Sequence, residues 1–351
     1  MSSTPTLKSR NLVIVVALLA LVALVIGWAR KRGLSFDFHS FLREIQHVSW
    51  GWVGLGILLI YASYVIRGYR WAVFIRRQRS VGPLYLLGPQ FTGFTAVAIF
   101  GRIADLSRPY LIAKKAELSL PSQIAVYTIE RMFDLGAAAL IFSSALAFTP
   151  SDMPHHEIFV RVGLASLAGT LILAAFAIAI RVAGERVAAV LGGIAGRISP
   201  KVGVSVEAKV LAFRDGLNGI ASVGEAVWAG VLSIVQWMCI ALSYVATTHA
   251  FTAEPTLAHL SFPSTMLLMG ASIGSSLLQL PVVGWFTQIA ATAASMRAFY
   301  GTPLETVTAC GALLLFVTLL CIIPAGLIYA RVDRVSLSDL KTRSEDVEVA
   351  Q

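Results

Sequence analysis

The chain has 351 residues, 57% of them hydrophobic and 13% charged, with a mean hydropathy of +0.76. Soluble domains carry nearer ~25% charged residues, so the composition excludes a water-soluble globule and leaves an integral membrane protein. The net charge of +9 is spread over short loops between apolar runs, where topology accounts for it, and nucleic acid drops out as a partner.

Apolar runs of about 18 residues or more read as membrane spans. Full-length spans are expected at 11–29, 50–66, 122–148, 159–181, 226–250 and 305–330. The first follows Lys8 and Arg10 and runs straight into Arg30-Lys31-Arg32, with no small-x-small cleavage site near it. It reads as an uncleaved span. Two more apolar stretches are broken. Residues 83–121 are apolar as far as Phe100, then carry Arg102, Asp105, Arg108, Lys114, Lys115 and Glu117. Residues 263–303 are interrupted at Leu280-Pro281-Val282-Val283-Gly284.

Lys and Arg counts set the orientation. With the N-terminus inside, most basic residues fall in inner segments, and only Arg30, Lys31, Arg32, Arg43, Arg161 and Arg297 fall outside. Both broken stretches must then enter and leave on one side, as re-entrant hairpins from opposite faces. That is the pattern of an inverted repeat. A single span plus an interfacial helix is the alternative for each, and it would change the parity. The expected fold is an all-α polytopic membrane protein. It has about six full transmembrane helices, two re-entrant or broken hairpins and one domain over 1–335. Both termini are expected in the cytoplasm and the protein in the plasma membrane. Within 184–222, Val187, Val190, Leu191, Ile194 and Ile198 recur at helical spacing among charges, which predicts amphipathic helices on the inner surface. The tail 336–351 is polar and expected to be disordered.

Charged residues inside apolar runs are the candidates for function. Arg67-Gly68-Tyr69-Arg70-Trp71 closes the second span. At about 100° per residue, Arg67, Arg70, Phe74 and Arg77 share a face. Guanidinium forks on one face suit a lipid phosphate; snorkelling arginines that anchor topology are the plainer reading. Gly101 to Pro109 sits where the first hairpin turns. There Arg102 and Arg108 can meet an anionic head group while Asp105 holds one of them; an ordinary charged loop is the alternative.

Glu130-Arg131-Met132-Phe133-Asp134 is the most informative stretch. A helix starting near Pro121-Ser122 puts Glu130 about 12 Å in. Glu130 and Asp134 share a face, and Arg131 is three residues from Asp134. Ionisable groups at that depth cost several kcal/mol unless paired or wetted. They either serve function or form a structural ion pair with the hairpin arginines. At the second break the polar groups are Gln279, Thr287 and Gln288, with a proline kink as the alternative. Cys239, Cys310 and Cys321 lie in apolar runs and read as small hydrophobes. His155-His156 reads as loop decoration. There is no nucleophile motif, phosphate loop or metal-ligand spacing, so neither metal nor cofactor is expected.

At Arg67 to Trp71, Gly101-Arg102 through Arg108, Glu130-Arg131-x-x-Asp134 and the Pro281/Gly284 break, the chain resembles the transmembrane region of lysylphosphatidylglycerol synthases. This flippase-like family includes stand-alone proteins, and the resemblance covers roughly 12–330. It implies a polytopic inner-membrane protein that moves an aminoacylated phospholipid, without the soluble domain that makes the lipid. Phe100, Ala104 and Asp105 stand where the family has Pro, Gly and Glu; Trp285 and Gln288 stand in a late element that is usually richer in Gly and carries a Glu.

The expected activity is translocation of an anionic or aminoacylated phospholipid, or of a polyprenyl-linked lipid. Its head group would be held by Arg67, Arg70, Arg102, Asp105, Arg108, Glu130, Arg131, Asp134 and Gln288. The rivals are a non-transporting scaffold or accessory subunit of a separately encoded lipid or glycan enzyme, and a membrane-embedded transferase using Glu130 and Asp134. Expected partners are membrane lipids, such an enzyme, or a second copy of the chain.

Overall fold

The computed structural model describes residues 36–149, 151, 156–197, 199–218, 222–275 and 283–335. The expected first span at 11–29, residues 280–282 of the expected 280–284 break and the tail 336–351 lie outside them. Among the described residues every element is helical. A chain in hydrocarbon must satisfy its backbone internally, and a helix does so within one segment.

A short helix α1 (Phe38–Gln46) leads into α2 (Trp50–Ile75). A 3₁₀ turn at Pro83–Leu86 then opens α3 (Leu87–Phe100), the chain reverses, and α4 (Ser107–Lys115) returns. Next come α5 (Leu120–Ala147), α6 (His156–Gly196) and α7 (Pro200–Asn218). The second half holds α8 (Val223–His249), the single turn α9 (Pro255–Ala258), α10 (Phe262–Ser275) and α11 (Val283–Tyr300). It closes with α12 (Leu304–Thr318) and α13 (Ile323–Val332), which a 3₁₀ turn at Leu320–Ile322 separates. The break frees the Cys321 carbonyl, which accepts from Tyr61 Oη at 2.9 Å.

Among the described residues, five stretches are long and apolar enough to cross a membrane: Trp50–Ile75, Pro83–Phe100, His156–Phe176, Val223–His249 and Leu304–Val332. α5 is as long but carries the charges of its middle. The second span was expected to close at residue 66. Instead α2 runs on to Ile75, so Arg67 and Arg70 lie inside a helix and are buried, while Arg77 lies past its end and is exposed.

Contacts between chain ends show which termini lie together. At one end, Arg76 meets Glu225 at 3.4 Å, Ser122 bonds Gln78 at 2.5 Å, and Arg79 donates to the Ala116 carbonyl at 2.7 Å. Lys115 meets Asp333 there at 2.9 Å. At the other end, Ser49 N–H bonds the Ala250 carbonyl at 2.8 Å and Tyr300 Oη bonds the Ser264 carbonyl at 3.4 Å. The α3–α4 pair therefore leaves from and returns to the first end. The α10–α11 pair does so at the opposite end.

The result is two helix–hairpin–helix units running in opposite senses. One is α2, α3–α4, α5; the other is α8, α10–α11, α12–α13. They pack crosswise, with α2 on α8, α3 on α13 and α10 on α5. Glycines permit the close approaches. Gly56 on α2 faces Thr247 of α8 and Val317 of α12, both 3.2 Å from where a Cβ would stand. The hairpins meet near their tips, where Trp285 Nε1 donates to the Ala98 carbonyl at 3.1 Å.

One feature lies outside the hydropathy pattern and one follows it. α1 presents Phe41 and Ile45 to the core and leaves Phe38 and Leu42 exposed; it is not among the elements that apolar runs indicate. α6 is two helices joined at a kink, where Ala183 has non-helical φ and ψ, and the kink falls between the expected span 159–181 and the expected helical stretch 184–222. Its second half pairs with α7, where Arg214 meets Glu185 at 3.0 Å.

Candidate functional site

Four helices converge on one cluster of charge. Arg67 and Arg70 lie three apart on α2 and so face the same way. Arg108 comes from α4, the return arm of the first hairpin. Gly101 makes that return with φ +78°, a backbone state that favours glycine. Gly93 on α3 then lets Arg108 lie flat against the opposite arm, since a Cβ there would overlap the Arg108 side chain. Glu130 and Asp134, one turn apart on α5, meet all three guanidinium groups.

Glu130 Oε1 accepts from Arg67 Nη1 at 2.8 Å and Arg70 Nη2 at 2.9 Å, and its Oε2 accepts from Arg108 Nη1 at 2.9 Å. Asp134 pairs with Arg70 Nη1 at 2.7 Å and Arg67 Nη1 at 3.2 Å. α8 completes the shell: Ser233 Oγ accepts from Arg70 at 2.7 Å, while Trp237 Nε1 and Gln236 Nε2 donate to Asp134 at 3.2 and 3.4 Å. The Phe94 ring lies 4.3 Å from the Arg108 guanidinium and 4.8 Å from that of Arg67.

The enclosed part holds three guanidiniums and two carboxylates, with side-chain exposures of 0–8%. These five alone sum to one positive charge, which Asp105 faces from 3.5 Å off Arg108 Nη2. A second, shallower pair flanks it. Asp105 lies 3.8 Å from Arg131 Nη2 and 3.5 Å from Arg108 Nη2, and accepts a hydrogen bond from Tyr127 Oη. Here Asp105 is 25% exposed and Arg131 38%. Among the described residues, Arg131 Nε and Nη2, the Nε atoms of Arg70 and Arg108, and Gln90 Nε2 are buried without a hydrogen-bond acceptor. Unmet donors in this number fit an acceptor-rich group.

Of the residues picked out from sequence, Arg67, Arg70, Asp105, Arg108, Glu130, Arg131 and Asp134 come together. The Arg102 side chain lies outside the described residues. Gln288 is elsewhere: its amide donates to Ser272 Oγ at 2.9 Å within the second hairpin. Arg67 and Arg70, read from sequence as a phosphate-facing pair, are instead held by Glu130 and Asp134, because a buried guanidinium needs a carboxylate close by. Sequence reasoning missed Ser233, Gln236, Trp237, Tyr127 and Phe94. A weak signal existed for three of them: Ser233, Gln236 and Trp237 repeat at helical spacing in an otherwise apolar run. Among the described residues no group of three His, Cys, Asp or Glu side chains is placed to hold a metal ion.

A helical bundle with paired, opposed hairpins around an enclosed charge cluster defines a polytopic membrane protein with a polar interior. The chain belongs to the lysylphosphatidylglycerol synthase TM region family, whose model matches residues 13–329, nearly its whole length. This places it in a lipid-related family of membrane domains. No curated protein and no solved structure matches it.

Proposed function

We propose that the protein translocates a lipid whose head group is anionic: an acidic or aminoacylated phospholipid, or a polyprenyl-linked phosphate. The observation that carries this reading is the single excess positive charge of the cluster as a whole, four guanidiniums against three carboxylates, beside unmet donors on Arg131, Arg108 and Gln90. A lone guanidinium charge away from water is expensive, and a lipid phosphate supplies both the charge and the acceptors. Arg131 is the entry group, being the most exposed arginine of the cluster. The α3–α4 hairpin would then be re-entrant, opening to the cytoplasmic face of the plasma membrane with both chain termini. The helix pair of residues 184–218 would lie on that face.

The second reading is a non-transporting scaffold or accessory subunit of a lipid-modifying enzyme. It is favoured by the pairing of Arg67 and Arg70, whose four ion-pair contacts all go to Glu130 and Asp134. Arg131→Gln separates the two, because Arg131 is not part of the enclosed pairing. Loss of one charge-assisted bond worth about 1.5–3 kcal/mol slows lipid movement about tenfold or more in reconstituted vesicles. Wild-type protein that moves no lipid but co-purifies with an enzyme would favour the scaffold. Wild-type transport that Arg131→Gln leaves within a factor of two removes Arg131 from the mechanism.

A further inference from the structure

α6 packs back along α5, with Gly163 against Ala147, and so returns to the end at which Arg76 of α2 meets Glu225 of α8. It kinks at Ala183, and its second half runs on against α7. α7 ends at Asn218 and α8 begins at Val223, so this helix pair is tethered to a span at each of its two ends. Glycines press the two helices together. A Cβ on Gly203 would stand 2.7 Å from the Gly192 carbonyl, and one on Gly184 would overlap the Arg214 side chain.

Helical spacing sorts the remaining side chains. The contact line of the second half of α6 runs through Gly184, Ala188 and Gly192, all buried; that of α7 runs through Gly203, Val206 and Val210. In an antiparallel pair with these contact lines, one flank carries Val190 and Ile194 from α6 and Val202 from α7, exposed at 61, 56 and 42%. Arg186 and Arg197 edge this strip on one side, Lys201 and Lys209 on the other, and all four are exposed. No carboxylate among the described residues pairs with any of them. Glu185 and Glu207 lie on the opposite flank, where Arg214 holds Glu185 at 3.0 Å and Val204 is the one strongly exposed apolar side chain.

An apolar strip rimmed by bases, with the acids turned away, matches a surface of acyl chains beneath anionic head groups. The branched side chains enter the leaflet, and the long basic stems lie along it and reach phosphates. A nucleic acid would meet the bases and leave the strip uncovered. The tethers also hold the pair beside the leaflet, because both of its ends continue into spans.

We propose that the pair docks flat on the leaflet through this flank, and that docking requires anionic phospholipid. Its ligand is the acidic head-group surface rather than one transported lipid. The translocase reading puts the pair on a membrane face without a ligand; the docking stands whether or not the protein moves lipid.

The test uses full-length protein in vesicles of phosphatidylcholine, or of an equimolar mixture of phosphatidylcholine and phosphatidylglycerol. A fluorophore is attached at Ile194→Cys on the docking flank or at Ala189→Cys on the other, with labelled wild type giving the contribution of the native cysteines. Brominated acyl chains quench from inside the leaflet and iodide quenches from water. In mixed vesicles, brominated lipid should quench the Ile194→Cys label about threefold or more above the Ala189→Cys label, which iodide reaches instead. That quenching should fall about threefold or more in phosphatidylcholine alone, and also when Arg186→Gln, Arg197→Gln, Lys201→Gln and Lys209→Gln are combined.

Equal lipid quenching at the two positions, or none at either, would overturn the docking flank. Quenching at Ile194→Cys that survives the loss of phosphatidylglycerol would overturn the anionic requirement. A label there that neither quencher reaches would mean that a second copy or another protein covers the strip, and would overturn the proposal as well. The lipid comparison needs no charge variant, so the test decides even if the quadruple variant fails to fold. No readout depends on lipid movement, so failure here and failure of the translocase reading are separate results.

Discussion

Replacing Glu130 by Gln isolates the part of the charge cluster that holds the bundle together. Glu130 is fully buried and accepts three hydrogen bonds, two from α2 and one from α4. Glutamine keeps the shape but removes the charge and turns an amide donor toward a guanidinium. Arg67 and Arg70 would then share Asp134, Arg108 would keep only Asp105, and the enclosed excess would rise by one charge. Breaking a buried pair by removing one partner costs about 3–5 kcal/mol, and three arginines lose a partner at once, so the upper part of that range applies. Folded proteins hold about 5–15 kcal/mol in total. In detergent, the expected result is a Tm lower by about 5–10 °C and a smaller monodisperse fraction on size exclusion. Adding Arg108→Gln returns the charge count to its original value and should recover part of the loss. A single variant within about 2 °C of wild type would show that water or lipid already compensates these charges. A double variant no better than the single one would show that hydrogen bonding, not charge balance, is what Glu130 supplies.

Other outcomes follow from the packing. Gly93→Ala puts a methyl group into the Arg108 side chain; overpacking of about 1–3 kcal/mol should lower Tm, and Arg108→Ala in the same background should relieve part of it. Gly326→Ala should separate α13 from α3, because its Cβ would overlap Thr95 and stand 2.6 Å from the Phe91 carbonyl; cross-linking of cysteine pairs across those helices should fall. Asp333→Ala breaks a partly exposed pair with Lys115 and should change stability by about 1 kcal/mol or less, far below Glu130→Gln in the same assay. The Ser40 hydroxyl and the His39 amide hold the Asp37 carboxyl below its ordinary 3.8. The support this cap gives α1 is complete above that pH and is lost as the pH falls through and below it. Hydrogen exchange of the α1 amides should quicken on acidification in wild type and lose that dependence in Asp37→Asn.

The parts of this fold legible in sequence are those where the membrane makes an error costly. Charged residues at depth stand out because they cannot be left alone in hydrocarbon, and so Arg67, Arg70, Arg108, Glu130 and Asp134 were all marked in the sequence. Basic residues between spans led to the expectation that both broken stretches return to the side they left, against the alternative of a single span plus an interfacial helix for each. The basic residues Arg76, Arg79, Lys115 and Arg334 do gather at one end. What the pattern could not give was partnership. A helix face bearing Arg67 and Arg70 looks the same whether it meets a lipid phosphate or a carboxylate of α5, and only the packing of α5 on α2 and α4 decides it.

Neutral polar residues escape for the opposite reason. Ser, Thr and Gln on apolar helices commonly bond a carbonyl of the preceding turn or a neighbouring helix. Thr247, Thr292 and Thr308 do the former, each donating to the carbonyl four residues earlier at 2.6–2.8 Å. Nothing in the sequence separates them from Ser272 and Gln288, whose bonds run between helices. The distinction appears only in the packing, which brings α8, α10 and α11 together so that Tyr244 and Gln288 both donate to Ser272 rather than to a carbonyl of their own helix.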